Sequence, residues 1–283
     1  MVIVPEPVEL HEKPPEAPVG NALTRGFKAV FIEHRFPYAV AVMWDKALRA
    51  VGVRHKVVAV AGARMVVRRA SWDERALRKI MVDCDYTRDG FEIGDKDTVV
   101  DVGANIGAFT VHAALAATSG RVICFEPSSD NFSLLVRNIR LNAQADHVTA
   151  VRAAVAGKPG HLRLYRADVG QLDTTVEGRL PGPISTEEVE ALTLEQIFTT
   201  YEISRCDFLK LDCEGAEYDI LFHTPAETLR KVRRIAMAYH ATAEKRRRSK
   251  ELVEFLVRQG FEIVEYSDFV GYDTGFIRAV RHP

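Results

Sequence analysis

The sequence predicts an α/β fold: a mostly parallel seven-stranded sheet with helices on both faces, preceded by a small N-terminal cap. Three observations carry that prediction. Val99, Val100 and Val102 form an apolar, β-branched run ending at Gly103, and from Ala108 the chain turns to good helix formers; a covered strand, a tight turn and a helix follow in order. A second run of this kind, Arg121–Phe125, ends in an acid, Glu126, 25 positions beyond Asp101. From there to residue 280 strand-like runs keep alternating with helical ones, the pattern of a parallel sheet with right-handed crossovers.

Composition bounds the class. With 47 % hydrophobic and 27 % charged residues, the 283 positions suffice for one large or two modest globular domains. The net charge of −1 sets up no overall field that would draw the chain onto nucleic acid or an anionic membrane. Cys84, Cys124, Cys206 and Cys213 are widely spaced and form no C-x-x-C pair of a zinc or redox site. No run approaches the roughly 18–20 apolar residues of a membrane span, and the first residues carry acids and prolines where a leader would be basic and then apolar. A soluble, cytoplasmic protein is expected.

Residues 1–19 hold Pro5, Pro7, Pro14, Pro15 and Pro18 among acids, a composition that predicts an extended, mobile arm. Residues 20–94 form the cap. Apolar positions between Phe27 and Val51 predict helical segments broken near Pro37. Lys56–Val60 and Arg64–Val67 flank Ala61-Gly62-Ala63 and read as a hairpin. A helix over 73–82 is expected to start near Ser71 or Asp73.

The main domain, 95–283, opens with strand 97–102 and helix 107–117, then strand 121–126 and a helix over 129–142 with Phe132, Leu135, Val136 and Ile139 on one face. Val148–Val151 with Ala153–Val155 reads as a third strand, and His161–Tyr165 alternates like another. Asp168 to Pro183, with Gly170, Gly178, Pro181, Gly182 and Pro183, predicts a long loop, either a lid or acceptor-binding segment or an insertion without a role of its own. Order returns at Leu192–Phe198. Strands 206–212 and 234–240, a helix over 244–258 and strands near 261–266 and 274–280 complete the count, the last of them antiparallel.

Ligands in open α/β sheets bind at the carboxyl ends of the strands, which selects Asp101, Glu126, Asp212 and His240. Gly103 and Gly107 lack the third glycine of a dinucleotide fingerprint, and Asp101 just before them would repel a pyrophosphate. An amino-bearing nucleotide suits this turn, with Glu126 placed for ribose hydroxyls. The competing reading is that Asp101 and Glu126 only cap the helices after them. Lys210 and Asp212 face the same way on one strand. A buried lysine needs a partner, and Asp212 or Glu214 is in reach. The pair is either a structural ion pair or part of a polar site in which Lys210 holds an acceptor oxygen. Glu217 reads as a helix-start acid. With an ordinary histidine pKa of ~6.5, His240 is either a packed core residue or a base for a hydroxyl.

Asp97–Gly107 resembles motif I of class I S-adenosylmethionine (AdoMet) methyltransferases. Taken with Phe125-Glu126-Pro127, Asn138 and Asn142, and Lys210-Leu211-Asp212-Cys213-Glu214-Gly215-Ala216-Glu217, the chain resembles the FkbM-type methyltransferases. The resemblance covers about residues 70–280, and the Lys210–Glu217 segment is its most discriminating part. It implies a Rossmann-like class I methyltransferase fold and O-methyl transfer from AdoMet to a hydroxyl of a sugar, glycoside, polyketide or related small molecule. The cofactor contacts would come from Asp101, Gly103, Ala104, Asn105, Gly107, Thr110, Glu126 and Pro127, with the Ala154 backbone at the adenine; His240, Lys210 and Asp212 would serve catalysis. One position departs from the family, which often shows an acid two residues before the histidine; here it is Ala238.

Other readings are less well supported. Amino-methylating nucleic-acid enzymes place an Asn or Asp before Pro-Pro-Tyr or Pro-Phe at the fourth strand, and Asp212-Cys213-Glu214-Gly215 is not that. The basic run Lys245-Arg246-Arg247-Arg248, with Glu244 and Glu251 near it, reads as a solvated helix face. A non-catalytic AdoMet binder would not need Asp101, Glu126, Lys210 and Asp212 together. No metal site is assigned, although Asp212, Glu214 and His240 are donors that Mg²⁺ accepts. The expected partner is a small-molecule acceptor, without membrane or nucleic acid; any homo-oligomer contact is expected in the N-terminal region.

Overall fold

The computed structural model describes residues 38–167, 173–176, 185–240, 246–268 and 274–282. The proline-rich arm, the helical segment expected before Pro37, most of the 168–183 loop, Lys245 and the side chains of Arg246–Arg248 lie outside the described residues. Helix α1 (Tyr38–Ala50) starts directly after Pro37. Strands β1 (His55–Val60) and β2 (Ala63–Arg68) pair antiparallel, with Val60 opposite Ala63. Their two-residue connection places Ala61 (φ 46°) and Gly62 (φ 82°) in the left-handed region, as a type I′ turn requires to match the strand twist. Helix α2 (Asp73–Leu77) begins at the predicted acid and runs into a π-helical turn, Arg78–Val82.

The main domain follows the predicted alternation: β3 (Thr98–Val102), α3 (Ala108–Ala116), β4 (Arg121–Phe125), α4 (Ser129–Leu141) and β5 (Val148–Val151). The expected third strand then divides. The Ala153 N–H bonds back to the Val151 carbonyl at 3.1 Å, a tight turn that takes β6 (Ala154–Val155) out of the main sheet. With β7 (Gly160–Arg166) and β8 (Ser185–Leu192) it forms a second sheet in the order β6-β8-β7. Strand β8 was not predicted, because Glu187, Glu188 and Glu190 mask a strand in which Val189, Ala191 and Leu192 are buried.

Helix α5 (Leu194–Thr200) begins with a capping box between Thr193 and Gln196, which satisfies donors at its first turn. Then come β9 (Phe208–Leu211), α6 (Glu217–His223), α7 (Ala226–Arg230), β10 (Arg234–His240), α8 (Arg246–Arg258), β11 (Glu262–Asp268) and β12 (Thr274–Val280). The seven-stranded sheet has the order β11-β12-β10-β9-β3-β4-β5. Strand β12 runs antiparallel to both neighbours, while the β10, β9, β3, β4 and β5 pairs are parallel. This is the Rossmann-like methyltransferase architecture, with β3 and β9 side by side at its centre.

Alternation along the strands builds two cores. Val100, Val102, Leu209 and Leu211 face Ile197, Ile220, Leu229 and Leu252 of the helices on one side. Val99, Phe208 and Ala236 face Phe109, Leu135 and Ile139 of α3 and α4 on the other. The hairpin packs against the latter helices through Met65, Val67, Val111 and Leu134, and two asparagines one helical turn apart bind its edge. Buried Asn138 accepts the Val66 N–H at 2.6 Å and donates to the Val66 and Ile106 carbonyls at 3.1 and 2.8 Å. Asn142 makes the same two-way exchange with the Arg64 backbone, at 2.8 Å each way. In effect, α4 presents a strand edge made of side chains. Asn138→Leu would strand three buried backbone groups at about 1–3 kcal/mol each; urea denaturation should therefore show a stability loss of about 3 kcal/mol or more, and a loss under about 1 kcal/mol would remove the clamp role.

Candidate active site

The turn after β3 is built around an ion pair. In the parallel register Asp101 lies beside Lys210, and the Lys210 ammonium sits 2.9 Å from Asp101 Oδ1, with both side chains almost fully buried. The other carboxylate oxygen accepts the Thr110 hydroxyl at 2.6 Å. Lys210 also donates to the carbonyls of Gly103 (2.7 Å) and Val102 (3.3 Å). Burial would push Lys210 down, but Asp101, and after it Asp212, hold it above the ordinary lysine value. Tyr86 and Phe109 put ring faces 5.8 and 5.9 Å from the ammonium.

Gly103 has φ 77°, and a Cβ there would run into the backbone carbonyl of Asp212. Only glycine lets the ends of β3 and β9 approach this closely. The Gly103 and Ala104 N–H groups both donate to the Phe125 carbonyl at 3.0 Å, tying the same turn to the end of β4.

Glu126 follows that carbonyl and is 5 % exposed. It accepts the N–H groups of Asn105 (2.8 Å) and Ser128 (2.9 Å) and the Asn131 amide at 3.3 Å. Burial pushes its pKa up to about 7 against these hydrogen bonds. A cleft opens beside it, walled by Gly103, Asn105, Glu126, Pro127, Ala154 and Asp212, with Leu164, Asp173 and Thr175 from the second sheet and its loop.

Past β9 and β10, four titratable groups meet. His240, 6 % exposed, has Nδ1 3.1 Å from Glu217 Oε1, and Nε2 3.6 Å from Glu214 Oε1 and 3.8 Å from Asp212 Oδ1. Glu217 is fully buried and folds back from the start of α6 to accept the Cys213 N–H at 2.8 Å and the Gly215 N–H at 3.1 Å. Asp212 Oδ2 accepts the Tyr86 hydroxyl at 2.8 Å. Burial opposes charge on His240, but Glu217, then Glu214 and Asp212, raise its pKa to about 9. Burial likewise opposes charge on Glu217, yet His240 and the backbone donors hold its carboxyl below the usual range.

The methyltransferase FkbM domain model matches residues 101–263, more than half of the chain and all the strand ends just described. The chain belongs to the FkbM methyltransferase family. Among curated relatives, the AMB antimetabolite synthetase AmbE of Pseudomonas aeruginosa is 26 % identical over 83 % of this chain, which spans only 14 % of that protein. The 31-O-demethyl-FK506 methyltransferase FkbM of Streptomyces tacrolimicus is 25 % identical, covering 72 % of this chain and 88 % of that one. A solved methyltransferase FkbM from Methylobacillus flagellatus aligns with a TM-score of 0.48 at 17 % identity, over 68 % of this chain and 46 % of that chain.

Within this FkbM domain the expected site residues separate into two groups. Gly103, Asn105, Glu126, Pro127, Ala154 and Asp212 line the cleft. Asp101, Ala104, Gly107 and Thr110 are buried behind its wall, where Asp101 pairs with Lys210. Lys210 was expected to pair with Asp212 or Glu214 and to hold an acceptor oxygen; instead it pairs with Asp101 and donates to two carbonyls of the glycine turn. His240 was expected as a free base near pH 6.5, but three carboxylates keep it an imidazolium at neutral pH. The sequence reading missed Tyr86, which reaches Asp212 from 126 positions away, and it underrated Glu217, whose partner lies on another strand. Lys210→Met would leave Asp101 buried without its counter-charge, which costs about 3–5 kcal/mol; a loss of that size is expected in urea denaturation, and a change below about 1 kcal/mol would mean that the turn does not depend on the pair.

Proposed function

We propose that this FkbM domain is an AdoMet-dependent O-methyltransferase that methylates a hydroxyl of a small molecule such as a sugar, glycoside or polyketide. The observation that carries the reading is the adjacency of the Gly103–Glu126 cleft and the acidic rim of Asp212 and Glu214, which share the loop after β9. The cleft residues suit a nucleoside: the Gly103 turn forms one wall where the ends of β3 and β9 meet, and Glu126 is a buried carboxylate whose backbone donors hold it at the cleft wall. AdoMet, when bound, supplies a methyl group activated by its sulfonium charge. Glu126 accepts hydrogen bonds from a ribose diol, as acids at the second strand do in this fold class. Asp212 and Glu214 offer oxygens to which an acceptor hydroxyl donates, and they are the first groups its proton can reach. Holding both partners at one rim converts a bimolecular reaction into an in-line transfer between oriented groups. The name of the Streptomyces relative, 31-O-demethyl-FK506 methyltransferase, agrees with this acceptor class. Cys84, Cys124, Cys206 and Cys213, all free, agree with a reducing cytoplasm.

Methyl transfer from labelled AdoMet to a panel of glycosides, polyketides and RNA tests the reading. Product with a hydroxylated small molecule is expected; transfer to RNA alone would overturn the acceptor class. Glu126 supplies a sharper test. A diol binds the ionised carboxylate, and the free group titrates at about 7, so protonation competes with binding as pH falls. Calorimetry should give an AdoMet Kd about tenfold weaker at pH 6 than at pH 8, and Glu126→Gln should weaken binding and flatten that dependence.

A further inference from the structure

We propose that Asp212, Glu214 and His240 form a binding site for one divalent cation of the Mg²⁺ or Mn²⁺ type, with Glu217 as the residue that orients the histidine. The inference rests on the methyl-transfer reading for its purpose but not for its geometry. Asp212, Glu214 and His240 each bring a donor atom within 4.8 Å of the other two. Nε2 stands 3.6 Å from Glu214 Oε1 and 3.8 Å from Asp212 Oδ1. Ligands that share an ion at roughly 2.1 Å lie roughly 3.0 Å apart when cis and roughly 4.2 Å apart when trans, so the three atoms already span the gap a single ion fills.

The second observation concerns the histidine itself. His240 is more than nine-tenths buried, and among the described residues its Nε2 makes no hydrogen bond, although it points between two carboxylates. Its other nitrogen is clamped by Glu217, which is 0 % exposed and is itself anchored by two backbone N–H groups. A metal-binding imidazole is held in this way: one nitrogen donates to a buried carboxylate, which fixes the tautomer and aims the other at the ion, and the ion displaces the Nε2 proton to water as it binds.

The donor chemistry selects the ion class. Two carboxylate oxygens and one imidazole, without thiolate, suit a hard divalent cation that keeps several waters. Asp212 stays on the Tyr86 hydroxyl through Oδ2 while Oδ1 faces the histidine, so Asp212 can take up the ion without giving up that hydrogen bond. The rim position, with Asp212 and Glu214 side chains 30 % and 17 % exposed, leaves coordination positions open on the side where an acceptor oxygen would arrive. There the ion can polarise that oxygen.

Mn²⁺ is the probe, since its free form gives an electron paramagnetic resonance signal that binding depletes. The full chain, freed of metal by EDTA and exchanged into buffer, should bind one Mn²⁺ that Mg²⁺ displaces. Asp212→Asn and Glu214→Gln, both at the exposed edge, should each weaken binding at least tenfold; Glu217→Gln should weaken it 10–100-fold through misorientation. AdoMet calorimetry on the same preparations separates this proposal from the one it serves. AdoMet bound without Mn²⁺ overturns the metal site alone, whereas Mn²⁺ bound without AdoMet supports the metal site and overturns the cofactor reading. Mn²⁺ binding that the Asp212→Asn/Glu214→Gln double variant leaves unchanged would also overturn the proposal.

Discussion

One ammonium group organises the centre of this protein. Lys210 reaches across from β9 to the Asp101 carboxylate and to two carbonyls of the turn after β3, so the loop that walls the cleft is held by the strand that ends in the acidic rim. Desolvating both charges offsets much of their attraction, and such a pair contributes more to a unique arrangement than to net stability. What it specifies is the approach of Gly103 to the Asp212 carbonyl. Cleft and rim are therefore a single mechanical unit: a shift of β9 along β3 would move the acids and distort the glycine turn together.

The cap and the second sheet act on the same unit from outside. From the cap, Asp73 holds Arg68 in a bidentate pair, Arg68 donates to Asn131 at 2.9 Å, and Asn131 donates to Glu126. A side chain of the hairpin thus sets the orientation of an amide that reads the state of the cleft carboxylate. From the other side, Thr174 pairs with the Tyr165 backbone and donates its hydroxyl to the Glu214 carbonyl at 2.7 Å. Asp173, one residue earlier, lines the cleft and adds to the upward shift of Glu126. Both additions to the sheet converge on residues of the site, the cap through a charge relay and the insertion through backbone contacts.

Much of this was legible in the sequence because local rules and tertiary structure agree there. The β-branched run before Gly103, the left-handed turn and the helix formers after it require the same conformation at every level, and Glu126 follows from the second repeat of that unit. The readings that failed depend on registers that no local pattern encodes. Two-residue spacing suggested that Lys210 pairs with Asp212, but the cross-strand register brings Asp101 to it first. Strand β8 buries Val189 and Ala191 on one face, but the glutamates interleaved with them, Glu187, Glu188 and Glu190, hide that alternation in the sequence. The burial of Asp101 was likewise not legible, since it follows from α3 packing over the strand end, where Thr110 donates to one carboxylate oxygen.

His240 takes its orienting carboxylate from Glu217 at the start of α6 and not from its own strand, where Ala238 stands two residues back. The residue that aims the imidazole therefore belongs to the same Asp212–Glu217 segment as the two acids it faces. Orientation and charge at the rim are then set by one short stretch, and the strand that carries His240 contributes only its position. This arrangement explains why the Lys210–Glu217 segment is the most distinctive part of the sequence: its lysine holds the cradle, its first two acids face the rim, its glycine allows the turn, and its last acid fixes the histidine.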